Sequence, residues 1–486
     1  MRRVFEDGVR SLAAGFSLGA GGVRPWGGEG VSDITVGLDI GTTSVKAVAV
    51  TGDGVILARA RVPHEIRTPT PGAFEHDIDQ AWRANVLDAL AAVATGRDVA
   101  AVNVSAMVPS LGAVHADGSA AGPGLLYGDH RGERATVDPA NPGDSGELLA
   151  FLAWHAATNP RAAGFWPAQA VANHALTGRG AIDTTTAMTA HPLFNFVGWD
   201  PAVAAAAGAD LATLPGIVAG VAPVGRIGEG RPGAGALVGG GAIDALAEQL
   251  VAGADHPGDV LVLCGTTMIT WGVLEQERTV PGLWTIPHTA ATRSLIGGPS
   301  NAGGLFLDRV RRWLGPSAAA RVGDVAPGEI PVWLPYVRGE RTPLHRRDLR
   351  VSVHDVGLQH GPEHLLRGAY EAAGFVVRHH LDLAREAGLV PQRIVATGGG
   401  TQVEPWMQAL ADCTNLPVAV AAVPEGAALG SAFVARCVAG LESSMTDASR
   451  WATTARIVEP NPPWVEAAEG RYRRFRGLSA AALQKA

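Results

Sequence analysis

The tripeptide Gly-Thr-Thr occurs twice in this chain, as Gly41-Thr42-Thr43 and as Gly265-Thr266-Thr267. Each copy lies between two apolar, β-branched runs, Ile34–Ile40 with Val45–Val50 and Val260–Cys264 with Met268–Trp271. Each therefore reads as the turn of a β-hairpin. Such a turn offers backbone N–H groups and two hydroxyls with no bulky side chain in front of them, which is what a polyphosphate needs. One Gly-Thr-Thr is an ordinary turn. Two in the same context imply two related halves that grip one nucleotide from opposite sides.

Three further groups of residues have types suited to phosphate chemistry. Asp39 is separated from the first turn only by Ile40. A carboxylate there suits Mg²⁺ held through water, because the ion bridges carboxylates and phosphate oxygens, and it equally suits a plain turn cap. Lys46, in the strand after the turn, is placed to reach a transferred phosphate, although a lysine on a strand face is commonly just solvated. Asp244 follows Gly239-Gly240-Gly241 and opens the helical stretch to Ala252. Local pattern makes it an N-cap, whereas function would make it a general base that takes the proton of an attacking hydroxyl. The glycines would let substrate and backbone come close. Gly398-Gly399-Gly400 follows the strand-like Arg393–Thr397 and is suited to pass beneath a ribose and adenine, or to turn a strand into a helix. The single Gly-x-Gly-x-x-Gly match, Gly228 to Gly233, holds a proline and two charges and opens no helix, so it is not a dinucleotide fingerprint.

The elements that must position these residues are strands alternating with helices, started twice. After the first hairpin, Asp53-Gly54 marks a turn and Val55–Val62 a third strand. A helix is predicted over Ile78–Ala94 and a strand over Val102–Val104. Residues 145–180 read as helical up to the Gly178–Gly180 stop, Asp200–Leu214 as an Ala-rich helix, and 220–240 as short strands and turns. The pattern restarts at Val260. A long helix runs over Arg367–Ala387, another is opened by Pro405, and a small-residue helix covers Ala427–Val438, while the last forty-odd residues suggest one or two short helices at most. The reading is an α/β protein of two related domains, 31–253 and 254–445, with a C-terminal tail at 446–486. Residues 1–30, rich in glycine, read as a disordered extension or as an over-long gene model whose true start is Val31.

Composition excludes several classes. With 486 residues the chain has material for large cores, and no run approaches the roughly 20 apolar residues of a membrane span. A net charge of −7 without blocks argues against a nucleic-acid binder. Cys264, Cys413 and Cys437 are scattered singly, so neither a disulfide framework nor a zinc site is indicated, and a reducing, cytoplasmic setting fits. Lysine occurs only at Lys46 and Lys485, and neither stands in Gly-Lys-[Ser/Thr], so the chain is not a P-loop NTPase. No Gly-rich loop with a His-Arg-Asp set accompanies Lys46, which excludes a protein kinase.

In this order the motifs resemble the FGGY family of carbohydrate kinases, within the sugar kinase/Hsp70/actin superfamily, over roughly residues 33–440. Its first phosphate motif is similar to Asp39-Ile-Gly-Thr-Thr-Ser-Val-Lys46, its catalytic-aspartate motif to Gly240-Gly-Ala-Ile-Asp244, its second phosphate motif to Gly265-Thr-Thr267 and its adenosine motif to Gly398-Gly-Gly400, with Thr401 next. Ser300-Asn-Ala-Gly303-Gly304, Leu334–Pro343 and Pro424–Gly430 also fit, Leu334–Pro343 being close to a stretch of xylulokinase-like members.

The resemblance implies two RNase H-like domains with an active-site cleft between them, Asp244 as general base, and Mg-ATP held mainly by the second domain. It implies a sugar or polyol held mainly by the first domain, by Met107, Asp129 and Asp244. The substrate region departs from the pattern. Ser105-Ala-Met-Val-Pro-Ser110 lacks the histidine of Gln-Met-His-Gly, Ala245 replaces the asparagine after the aspartate, and Tyr127-Gly-Asp129-His-Arg131 replaces Trp-Asn-Asp-x-Arg. The expected activity is thus ATP- and Mg²⁺-dependent phosphorylation of a sugar hydroxyl, with xylulose as first guess and gluconate, ribulose or a small polyol as alternatives. A non-catalytic sugar-binding regulator and an actin-like or chaperone-type ATPase are the competing classes, and a homodimer is left open.

Overall fold

The structure, a computed structural model, describes residues 32–132, 147–290, 292–328 and 330–485. The expectation for residues 1–30 lies outside the described residues. Two compact units divide the chain, Met1–Val251 with Glu425–Trp451, and Ala252–Pro424 with Ala452–Ala486.

In the first unit the hairpin of β1 (Thr35–Ile40) and β2 (Ser44–Val50) continues antiparallel into β3 (Ile56–Pro63). On its other side β1 pairs in parallel with β4 (Ala101–Ala106). Beyond β4 come β5 (Pro223–Arg226), β6 (Leu237–Gly239) and β7 (Ala242–Ile243), with β6 and β7 both parallel to β4. β1 and β4 are buried at every residue, as continuous apolar runs covered on both faces should be. β3 alternates partly buried and exposed residues, as a strand with one wet face does.

The second unit repeats the plan. β8 (Asp259–Cys264) pairs antiparallel with β9 (Met268–Leu274), β9 with β11 (Ser294–Ser300), and β11 with β10 (Trp284–Pro287) at the edge. β8 is parallel to β12 (Arg393–Thr397), and β12 to β13 (Val418–Ala421). The duplication legible in the two Gly-Thr-Thr copies is thus a duplication of sheet order. Its core packs around the helix Pro362–Glu386, which is buried along most of its length.

Several elements differ from the sequence expectation. A strand, Gly164–Trp166, interrupts the helical region between helices Glu147–Thr158 and Ala168–Thr177. The Ala-rich helix runs only over Pro201–Ala206, since Gly208 takes a positive φ and ends it. The tail is far more regular than expected: β14 (Thr454–Val458) adds antiparallel to β13, and Pro462–Lys485 is one helix. A contiguous split at 254–445 also differs from the contacts, because Gly426–Val438 packs on β1. A Cβ at Gly37 would stand 1.8 Å from the Ala428 carbonyl, and Thr35 Oγ1 donates to the Ala432 carbonyl at 3.0 Å. The small residues of that helix let it approach so closely. Among the described residues no helix is long and apolar enough to cross a membrane.

Candidate active site

The first unit gathers its chemistry at one edge of its sheet. β1, β4 and β7 are parallel neighbours with Asp39 paired to Ser105, Ile40 to Ala106, and Ile243 to Ala106. The residues leaving their carboxyl ends are Gly41-Thr42-Thr43, Met107 and Asp244. This is where open α/β sheets collect ligands, because the strands end there and the loops that follow are free to face a ligand.

Asp39 sits just inside that edge and is only 4% exposed. Lys46, its partner across the hairpin, brings Nζ to 3.6 Å from Oδ2, and Ser105 Oγ donates to Oδ1 at 3.2 Å. Burial raises the Asp39 carboxyl above its usual range, against the opposing pull of Lys46 and Ser105, while Asp39 raises the Lys46 ammonium. Lys46 is therefore the counter-ion of Asp39. The donor set bears on metal binding: among the described residues no group of three His, Cys, Asp or Glu side chains could cage an ion. One carboxylate fits Mg²⁺ that keeps its waters and arrives with phosphate oxygens, as Mg²⁺ commonly does.

Asp244 is the first residue of the helix Asp244–Ala252 and accepts the Ala245 N–H at 2.7 Å. The glycines before it do not open space for a ligand. A Cβ at Gly239 would meet Asn103 Oδ1 at 2.4 Å, at Gly240 the Asp183 N at 2.9 Å, and at Gly241 the Gln169 side chain at 3.2 Å. Buried Gln169 and Asn173 fasten this bend, Gln169 Nε2 donating to the Ala106 and Ala242 carbonyls and Asn173 Nδ2 to the Gly240 carbonyl. They fix where the Asp244 backbone starts.

The two expected sugar contacts of the first unit are engaged internally. Met107 is buried, with its side chain in the core under the sheet. Asp129 is fully buried, accepting the Phe74 N–H at 2.6 Å, the Arg131 N–H at 2.8 Å, and the Arg131 guanidinium at 2.8 and 2.6 Å. Although burial opposes it, these bonds hold the Asp129 carboxyl below its usual range. Arg131, which also reaches Glu75 at 3.0 Å, is the more outward group of the pair.

The second unit brings its three predicted segments together around Cys264. The turn Gly265–Thr267 joins β8 to β9, and the helix Gly304–Leu314 starts directly against it, with Gly304 N donating to the Gly265 carbonyl at 2.8 Å and Leu305 N to the Thr266 carbonyl at 2.9 Å. Gly303 is needed for that approach, since a Cβ would stand 2.4 Å from the Thr267 carbonyl carbon. Gly398 and Gly400 pack on Cys264, and a Cβ on Gly400 would meet Trp406 at 2.2 Å; Gly399 is exposed with nothing within 4 Å of a Cβ. Thr401 is buried, its hydroxyl donating to the Gly398 carbonyl at 2.8 Å. The triplet is therefore two packing glycines around one open one.

Sequence reasoning missed the residues that brace these loops. Buried Glu340 accepts from Ser300 Oγ at 2.8 Å, the Asn301 N–H at 2.9 Å and the Arg341 N–H at 2.7 Å, so the Leu334–Pro343 stretch holds the segment that delivers Gly303 and Gly304. Burial pushes the Glu340 carboxyl up to about 7. Around the first turn, His64, His76 and Tyr127 do comparable work. No sequence spacing links them to residues 41–43, because the contacts cross between elements.

A duplicated α/β unit, each with a Gly-Thr-Thr hairpin turn beside a parallel strand edge, defines the two-domain sugar kinase, Hsp70 and actin class. Within it, the family models for the N-terminal and C-terminal domains of the FGGY family of carbohydrate kinases match residues 34–138 and 261–439, and the chain belongs to that family of ATP-dependent sugar kinases. It is 29% identical to a xylulose kinase of Streptomyces coelicolor, across 87% of this chain and 91% of the relative. The crystal structure of xylulose kinase from Rhodospirillum rubrum superposes with a TM-score of 0.75 at 26% identity, covering 92% of this chain and 98% of that one. Gluconate kinase from Lactobacillus acidophilus shares the fold, with a TM-score of 0.77 at 20% identity over 93% and 98% of the two chains.

Proposed function

We propose that this sugar kinase transfers the γ-phosphoryl group of ATP to a hydroxyl of a pentulose, xylulose being the first candidate. Asp244 is the general base, and the turns Gly41–Thr43 and Gly265–Thr267 hold the phosphates. The observation that carries the reading is the strand register that brings Asp244, Asp39 and the first turn to one sheet edge. Asp244 accepts the proton of the sugar hydroxyl as its oxygen bonds to the γ-phosphorus. The bond to the β–γ bridging oxygen breaks and ADP leaves with that electron pair. Threonine N–H and O–H groups of both turns stabilise the charge that gathers on the phosphoryl oxygens. Asp39 would hold Mg²⁺ through water, and the bound ion would supply neutralisation of phosphate charge. Gly399 gives the nucleoside a surface without a side chain. Three buried free cysteines are consistent with a reducing cytoplasm.

Kinase action on gluconate, ribulose or a small polyol is the second reading, as is a non-catalytic sugar-binding regulator. The internal engagement of Met107 and Asp129 favours weighing these, since neither side chain is then committed to a pentulose.

The test is Mg-ATP-dependent ADP release over a panel of ketopentoses, sugar acids and polyols, with Asp244→Ala as control. A substrate raising the rate well above background, with the gain lost in the variant while ATP still binds, is the expected result. Wild-type turnover by Asp244→Ala removes Asp244 as the base. Silence over the whole panel from protein that binds ATP moves the regulator reading ahead.

A further inference from the structure

The two Gly-Thr-Thr turns have their carbonyls occupied position for position, by different chemistry. In the second turn the Gly265 and Thr266 carbonyls accept from Gly304 N and Leu305 N, the first donors of a helix. In the first turn the Gly41 carbonyl is bonded to His64 Nε2 at 3.0 Å and the Thr42 carbonyl to His76 Nε2 at 2.9 Å. The Thr43 carbonyl accepts the backbone N–H of His64 at 3.0 Å. Both rings are nearly inaccessible and meet edge to face, with centroids 4.5 Å apart.

Chemistry decides which ring nitrogen carries the proton. An indole N–H only donates, and Trp82 Nε1 lies 3.0 Å from His76 Nδ1, so Nδ1 accepts and the proton sits on Nε2, facing the Thr42 carbonyl. His64 has the same arrangement, with Asn85 Nδ2 3.4 Å from its Nδ1. Burial, reinforced by the neighbouring His64, takes His76 down to about 4, and burial lowers His64 too, so both rings are neutral donors at ordinary pH.

A trans peptide points its C=O and N–H in opposite directions. Drawing the Gly41 carbonyl toward His64 therefore turns the Thr42 N–H away from it, and drawing the Thr42 carbonyl toward His76 turns out the Thr43 N–H. Among the described residues neither N–H donates to a protein acceptor. We infer that His64 and His76 are positioning residues that aim the Thr42 and Thr43 amides at phosphate and withdraw the carbonyls that would repel it, doing for the first turn what a helix N-terminus does for the second. The inference rests on the reading that the first turn holds phosphate.

The experiment compares Mg-ATP and adenosine binding by calorimetry for the full chain and its His76→Asn, His76→Gln and Trp82→Phe variants, alongside thermal melts. Gln carries its donor nitrogen about where His Nε2 lies, and Asn falls short. Losing one such hydrogen bond predicts about tenfold weaker Mg-ATP binding in His76→Asn, with adenosine within about twofold and His76→Gln within about threefold of wild type. Trp82→Phe keeps the ring but frees its tautomer, and should weaken Mg-ATP by about threefold, a readout that remains if His76→Asn does not fold. Unchanged Mg-ATP affinity in folded His76→Asn overturns the inference. So does equal loss of adenosine and Mg-ATP, or of Asn and Gln, because each marks a merely structural ring. Wild-type protein that binds adenosine and Mg-ATP equally well removes the phosphate reading itself, and the inference with it.

Discussion

Asp39 and Lys46 face each other across the first hairpin, and burial gives their pairing its weight. An aspartate only 4% exposed is costly to ionise without a partner, and the ammonium 3.6 Å away offsets part of that cost. Asp39→Asn keeps the shape but removes the negative charge proposed to hold Mg²⁺ through water, so kcat should fall by roughly a hundredfold, checked by ADP release at a series of Mg²⁺ concentrations. Glu340 is a second buried carboxyl whose neighbours define its effect. Alanine there strands the Asn301 and Arg341 N–H donors and should cost about 2–3 kcal/mol in denaturant unfolding, whereas glutamine keeps an acceptor for them. With its folded pKa raised from 4.5 to about 7, wild-type Glu340 contributes stability that is full below 4.5 and lost as pH rises towards 7. The wild-type advantage over Glu340→Gln should therefore shrink between those pH values, and an advantage that grows would contradict the assignment.

Among the elements, the glycine triplet after β12 shows how one motif carries two duties. Gly400→Ala drives a Cβ to within 2.2 Å of Trp406 and 2.8 Å of the Cys264 carbonyl, so it should lower Tm by several degrees and displace the strand ends that set the second Gly-Thr-Thr turn. Gly399→Ala meets nothing within 4 Å. Its Tm should match wild type while adenosine binding weakens, because the new methyl stands where the nucleoside is proposed to pass. If calorimetry finds adenosine binding unchanged in Gly399→Ala, the nucleoside lies elsewhere. Both hairpins, the strand at Arg393–Thr397 and the helix at Ala427–Val438 were legible from apolar runs and turn residues. The strand Gly164–Trp166 was not, because three residues between helices carry no period to read.

At the scale of the molecule, buried histidines dominate the response to acid. Burial lowers His76, His155 and His380 to about 4 and His379 to about 3. Each is depressed below its unfolded value near 6.5, so the unfolded chain binds protons first. Stability is complete above 6.5 and is lost as pH falls towards the folded values, by about 1.4 kcal/mol per histidine per pH unit. Glu340 opposes this trend, as do Asp39 and Asp183, whose carboxyls burial also raises. Denaturant midpoints should therefore decline steeply from pH 6.5 to 4.5, and a flat profile would mean that these rings are hydrated or protonated in the folded state.

What the sequence determined alone is what depends on neighbours along the chain: the duplicated hairpins, the α/β alternation, the two Gly-Thr-Thr turns, and the carboxylates next to them. Hydrophobic period and turn chemistry are local, and they survive in a string of letters. Tertiary structure decided what depends on contact between distant segments. It paired Asp39 with Ser105, set Asp244 one residue past a strand registered on Ala106, returned Gly426–Val438 to β1, and closed His64 and His76 on the first turn. Burial then assigned each group its protonation and its partner, turning Met107 into core and Asp129 into an internal brace. Desolvation depends on everything packed around a group, and no local spacing encodes it.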